Sequence, residues 1–348
     1  MTQPTINDVA ARAGVSVSTV SRVLNDRTDV SAHTRTKVEQ AIEELGFAPR
    51  PTAQRLAGAR GHMVSLLFPV SYAQRSNHEL EFVLGAAEAT AGRDYLFSMT
   101  IDPVTPQGLR SMFRSGQVEG AILLQITEHD WRVDLARELD LPCVLIGRTA
   151  DNTGMTWVDF DFETAVGGML DHLVAVGHRR IGFLGPGRGI LDAGIGAAVR
   201  LQRGYDDAVL RLGLEPHLVP SDADPLAAGQ AALHLLDTVP GLTAIVGTHG
   251  PAAAGVLHAL LGRGLSVPDD LSLMTIATER IAAITVPGLS GVNFPSARLG
   301  FEAASMLARQ LDDRATGVSP RVEQILLPAH VTLRGSAAPA RNPRRRPR

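Results

Sequence analysis

From Met63 onward, short apolar runs alternate with longer stretches whose apolar residues recur at helical spacing, and this alternation constrains the fold more than any other feature. The runs are "MVSLLF" from Met63, "YLFSMTI" from Tyr95, "GAILLQ" from Gly120, "CVLIG" from Cys143, "IGFLG" from Ile181, "TAIVG" from Thr243 and "LSLMTIA" from Leu271. Helical patterns fill the intervals around 78–92, 129–140, 163–177, 197–213, 225–238, 250–264 and 295–313. Near-continuous apolar strands separated by helices predict parallel sheets covered on both faces. Two successive runs of the pattern predict two Rossmann-like subdomains, with a ligand cleft at the carboxyl ends of the strands. A chain of 348 residues has room for these and for a further small unit.

That unit occupies the start of the chain. Thr5 with Asp8 is a capping-box-like start, followed by an apolar stripe of Ile6, Val9, Ala10 and Ala13 that stops at Gly14. Ser16 is placed to cap a second helix with Val20, Val23 and Leu24 on its inner side. Ser31 is placed to cap a third, with Val38, Ile42 and Leu45 before Gly46. The predicted product is a three-helix core in which Val20 packs on Val9 and Ala10. Helix, Ala-Gly-Val turn and helix form a helix-turn-helix, whose second helix lies in the DNA major groove. Arg22 then faces guanine with two donors, Ser18 reaches base edges and Val17 meets a thymine methyl. Ser16, Thr19 and Ser21 are expected on phosphates, where they set register without reading sequence.

Composition narrows the setting. A net charge of −3 gives no overall basic field, so a nucleic-acid surface must be local. Cys143 is the only cysteine, which excludes a disulfide within the chain and a cysteine-based metal quartet and suits a reducing compartment. Residues 1–20 do not read as a secretory signal, and no run of 18 apolar residues is free of charge. The expected location is the cytoplasm, with no membrane partner. The 11 histidines are scattered, "GPGRG" at 185–189 lacks phosphate-loop spacing, and no nucleophile elbow is present, so neither an enzyme nor a cofactor is expected. Asp159 and Asp161 share one face of a strand segment, and Asp161 suits a crossover between subdomains.

"TINDVAARAGVSVSTVSRVLN", "VSAHTRTKVEQAIEELGFAPRPTAQRLA", "DHLVAVGHRRIGFLGP" from Asp171, "GLSVPDDLSL" from Gly264 and "LLPAHVTLRGS" from Leu326 together resemble the lactose-repressor (LacI/GalR) family of bacterial transcription regulators, over Thr5 to Ser336. The resemblance implies a helix-turn-helix headpiece at 1–48, a hinge at 49–61 and a two-subdomain periplasmic-binding-protein-like core at 62–336. Within the core, the amino-terminal subdomain takes about 62–161 plus 293–320 and the carboxyl-terminal one about 162–292 plus 321–336. A disordered basic tail is expected at 337–348. It further implies a homodimer on double-stranded, palindromic operator DNA. Val17, Ser18 and Arg22 would read bases, while Thr5, Ser16, Thr19, Ser21 and Asn25 would hold the backbone. Ala53, Gln54 and Leu56 would form the minor-groove hinge, with Leu56 as wedge.

For the core, the resemblance implies a small-molecule effector in the cleft, with Tyr72, Arg75, Arg148, Arg200, His249 and Ala277 as candidate contacts. Here the sequence departs from the family in a consistent direction. Gly147 replaces a common aspartate, Leu201 the usual effector-binding arginine, His249-Gly250 an Asn-Asp pair, and Ala277-Thr278 a pair of aspartates. A site without these partners rejects sugar hydroxyls. Three readings stand: a less polar or anionic metabolite, a carbohydrate in an altered frame, or loss of ligand control. An intracellular small-molecule sensor without ligand-controlled DNA binding is the alternative function.

Overall fold

The computed structural model describes residues 4–24, 30–45, 63–68, 79–93, 95–101, 103–116 and 118–340. In the headpiece, α1 (Ile6–Ala13), α2 (Val17–Leu24) and α3 (Ala32–Leu45) enclose a core of Val9, Ala10, Val20, Val23, Val38 and Ala41. The predicted stripes are thus the faces that meet. Thr5 and Asp8 close the expected capping box. Gly14 ends α1 at φ 66°, a left-handed conformation in which a side chain is strained.

The core contains two six-stranded sheets. The strands of the amino lobe run in the order β11 (Gln324–Leu327), β5 (Thr156–Phe160), β4 (Cys143–Ile146), β3 (Gly120–Leu123), β1 (Met63–Leu67) and β2 (Leu96–Thr100). Its helices are α4 (Glu79–Thr90), α5 (Pro106–Arg114), α6 (Trp131–Glu138) and α13 (Ser296–Ala315). The carboxyl lobe has the order β12 (Val331–Thr332), β10 (Ser290–Asn293), β9 (Ser272–Ala277), β8 (Ala244–Gly247), β6 (Ile181–Pro186) and β7 (Leu218–Ser221). Around it lie α7 (Phe162–Ala175), α8 (Arg188–Asp192), α9 (Gly196–Leu212), α10 (Pro225–Thr238), α11 (Gly250–Gly262) and α12 (Glu279–Ile284).

Pairing is parallel from β11 through β1 and from β10 through β7, and β12 joins β10 antiparallel. Strands β3, β4, β8 and β9 are buried along their whole length, which is why they read as unbroken apolar runs. The chain passes between lobes three times: from β5 to α7, from β10 to α13 and from β11 to β12.

Two expectations need correction. Residues 321–327 do not belong to the carboxyl lobe, because β11 pairs with β5 in the register Gln324↔Trp157 to Leu327↔Phe160. The tail is not free from residue 337. Ser336 Oγ donates to the Leu273 carbonyl at 2.6 Å, His178 Nε2 bonds the Ala338 carbonyl at 2.9 Å, and Ala340 N donates to the Val176 carbonyl at 3.0 Å. These bonds tie residues 336–340 to the carboxyl lobe; residues 341–348 lie outside the described residues.

Candidate DNA-reading face and effector cavity

The Ala-Gly-Val turn fixes where α2 points. Gly14 N donates to the Ala10 carbonyl, and Val15 N reaches the same oxygen at 3.0 Å. Ser16 then starts α2, accepting Thr19 N on Oγ at 3.1 Å. Its hydroxyl also meets those of Ser18 at 2.7 Å and Thr19 at 2.8 Å. Val20 and Val23 are buried one turn apart, which turns the opposite face of α2 outward. Val17, Ser18 and Arg22 stand exposed on that face, while Thr19 and Ser21 are half-buried at its border. Val17 is 40% exposed although it is apolar and β-branched. Thr5 is exposed at the start of α1, with its hydroxyl on Asp8 at 2.7 Å. That bond holds the Asp8 carboxyl below its ordinary pKa. Arg12 pairs with Glu44, tying α1 to α3. Asn25, Ala53, Gln54 and Leu56 lie outside the described residues.

Between the lobes of the core lies a cavity of about 210 Å³. Gly147, Arg200, His249 and Ala277, all marked by the sequence, line it. So does Leu201, in the place of the family's arginine. Tyr72 and Arg75 lie outside the described residues.

Arg148 is not among the lining residues and is held beside them. Its Nε donates to Asp159 Oδ2 at 2.8 Å, and its guanidinium lies 5.3 Å from the Trp157 ring centroid. Asp159 accounts for both arginines, since Arg200 Nη2 lies 3.0 Å from the same Oδ2. Its Oδ1 accepts Phe160 N at 2.8 Å. The side chains of Asp159 and Arg200 are only 4% and 5% exposed, so Arg200 does not face solvent. Burial draws the Arg200 pKa below the ordinary arginine value, against the pull of Asp159. Glu163 is pushed up by burial, opposed by Arg200 and Arg148. Asp161 caps α7 by accepting Thr164 N at 3.0 Å, and its charge adds to the upward push on Glu163.

Asp159 belongs to the amino lobe and Arg200 to the carboxyl lobe, so the pair spans the two. Backbone bonds strengthen the link: Glu128 N donates to the Gly194 carbonyl and Gly196 N to the Ile126 carbonyl, each at 2.8 Å.

The small residues in the wall have a steric reason. A Cβ on Gly250 would stand 2.7 Å from Ala277 Cβ, so an aspartate at 250 is excluded while α11 and β9 approach this closely. Gly147 has φ 116°, which strains any other residue. The sequence reading missed most of the remaining wall: Phe68, Phe82, Phe162 and Phe294, with Gln125 and Asp222. Gln125 has φ 51°, unusual for a non-glycine residue. No local periodicity joins four phenylalanines drawn from separate elements.

Comparison with known proteins completes the description. Residues 5–50 match the model for bacterial regulatory proteins of the lacI family, and residues 170–337 that for the periplasmic binding protein-like domain. The HTH-type transcriptional regulator reg1 of Streptomyces lividans is 31% identical over 353 aligned residues, covering 98% of this chain and 98% of its own. A solved structure of a transcriptional regulator CelR–cellobiose complex is 27% identical with a TM-score of 0.65, covering 96% of this chain and 100% of its own. A lac repressor dimer bound to operator and the anti-inducer ONPF gives a TM-score of 0.81 at 23% identity, over 97% of this chain and 100% of its own, a likeness of fold.

Proposed function

The chain belongs to the lacI family of bacterial regulatory proteins, and from that footing we propose that it is a repressor, a homodimer on a near-palindromic operator with an effector in the interlobe cavity. The observation that carries the reading is the outward face of α2, where Val17, Ser18 and Arg22 are exposed while Val20 and Val23 seal the other side. An exposed arginine on such a helix supplies the bidentate donor that guanine accepts in the major groove. Ser16, Thr19 and Ser21, with Thr5 and Asn25, hold the phosphates beside it. Ala53, Gln54 and Leu56 are assigned to the minor groove by resemblance alone, with Leu56 as the wedge that unstacks a base step.

A single headpiece buries little surface, so two linked copies gain affinity through effective concentration. Exposed apolar side chains support pairing of two chains. Leu80 and Leu84 on α4 stand with Leu96 and Met99 on β2 in one lobe, and Leu226 and Leu261 are exposed in the other. Among the described residues no helix is long and apolar enough to cross a membrane. Arg200 and Asp159 connect the lobes beside the cavity, so a ligand there bears on the lobe angle and thereby on DNA affinity, typically by about 1–3 kcal/mol.

Selection from random duplex DNA at stated salt tests the reading. The expected result is one near-palindromic site bound roughly a thousandfold or more above scrambled duplex. Absence of any enriched sequence, with and without added metabolite pools, would overturn it.

A further inference from the structure

We propose that the interlobe cavity takes a compact, uncharged aromatic molecule and not a polyhydroxylated one; the inference rests on reading that cavity as the effector site. One side of it is a phenylalanine bed, with Phe82 from α4, Phe162 from the start of α7 and Phe294 after β10. Phe294 lies 6.0 Å from Phe82 at 74° and 5.8 Å from Phe162 at 33°, with Phe160 packed behind both, 5.5 Å from Phe294 and 5.1 Å from Phe162. Three of these pairs meet edge to face and one is tilted, a packing that favours a further ring presented to it. Ile190, Ile195, Leu201 and Ile281 complete the wall with aliphatic surface. A volume of about 210 Å³ exceeds the roughly 150 Å³ apolar cavity that takes up benzene, and so suits one substituted ring or a small fused pair.

The polar groups of the wall are mostly committed. Both oxygens of Asp159 are taken by Arg148, Arg200 and Phe160 N. Thr248 Oγ1 donates to the Leu184 carbonyl at 3.2 Å and bonds His249 Nδ1 at 3.0 Å. A polyhydroxylated ligand would leave several buried hydroxyls unpaired, which such a wall penalises. Two buried polar atoms of lining residues have no hydrogen-bond partner among the described residues: Oγ1 of Thr278, which occupies the cap position of α12 without making a capping bond, and Nε of Arg200. One polar substituent on the ring can serve Thr278 Oγ1 or accept from Arg200 Nε.

Charge argues against an anion. Arg200 is answered by Asp159 at 3.0 Å and Glu128 at 3.7 Å, and the exposed carboxylate of Asp222 lies on the cavity lining. Among the described residues the arginine on the lining is thus matched by carboxylates, which disfavours the anionic alternative left open by the sequence.

The test is calorimetric titration of the full chain, without DNA, using indole, p-cresol, benzoate and cellobiose as probes. Indole or p-cresol should bind saturably at one site per chain, with benzoate and cellobiose silent. Ala223→Trp, which fills the lining from the half-buried segment before α10, should weaken that binding about tenfold or more. Ala197→Leu, at another lining position, should act in the same direction and provides the result if the first variant does not fold. Lack of saturable binding by both neutral aromatics, tighter binding of cellobiose, or affinity unchanged in both variants would overturn the proposal. Cellobiose binding would refute the ligand class while leaving an effector site. Aromatic binding without any change in operator affinity would support the ligand class and count against ligand control of DNA binding.

Discussion

Replacing Asp159 by alanine should cost more stability than any other single change at the cavity. The wild-type carboxylate faces Arg148 Nε at 2.8 Å and Arg200 Nη2 at 3.0 Å, with both members of the Arg200 pair at least nine-tenths buried. Without it, the nearest acid to Arg200 is Glu128 at 3.7 Å, and to Arg148 it is Glu163 at 3.9 Å. Leaving a buried charge uncompensated costs about 3–5 kcal/mol. Removing both charges costs far less, because desolvation of the ions had offset much of their attraction. Asp159→Leu combined with Arg200→Met should therefore recover most of the loss. Urea denaturation followed by the fluorescence of Trp131 and Trp157, the latter beside the Arg148 guanidinium, compares both variants and the single Asp159→Leu and Arg200→Met changes with wild type. A loss below about 1 kcal/mol for Asp159→Ala, or strictly additive losses in the double variant, would refute the assignment of Asp159 as the shared counter-ion.

Other outcomes follow from the same geometry. Burial raises the Cys143 thiol pKa to about 12, so a thiol reagent at pH 8 should label the chain only at the rate of unfolding; immediate labelling of the native protein would contradict this. Burial lowers the His178 pKa below its ordinary 6.5, so the neutral ring stabilises the fold fully above that value, and the contribution is lost as pH falls through the lower native pKa. His178→Gln should reduce the difference in urea midpoint between pH 7.5 and pH 5 if the ring bonded to Ala338 is responsible, and an unchanged difference would show that it is not. A Cβ on Gly14 would meet no atom within 4 Å, so the penalty of Gly14→Ala is that of a left-handed backbone, about 1–2 kcal/mol. Operator affinity should fall while the unfolding of the core is unchanged; loss of core stability would place the strain elsewhere.

Much of the fold was legible because the central strands are buried on both faces and the helices show their stripes. What escaped was the margin: β7 is "LVPS", β10 "SGVN" and β12 two residues, and none of these has an apolar run long enough to register. β11 was missed for a topological reason, since its partner β5 lies more than 150 residues away and no local pattern links them. At the site, the headpiece face was readable because one short helix carries it. The cavity was only half readable. Arg200 and His249 could be found by their offset from a family pattern, yet the partner that buries Arg200 is Asp159, a carboxylate in a strand whose side chains are all buried. An acid in such a strand signals a buried counter-ion, and that signal was present in "TWVDF".

The central claim is that Arg22 on the exposed face of α2 reads a base. Titrating wild type and Arg22→Ala against the selected operator and a scrambled duplex, at one salt concentration, measures it directly. The account predicts that the ratio of operator to scrambled affinity falls by at least about tenfold in the variant, with affinity for scrambled DNA changed much less. An unchanged ratio would contradict it, for Arg22 would then contribute charge to the interface and no sequence information.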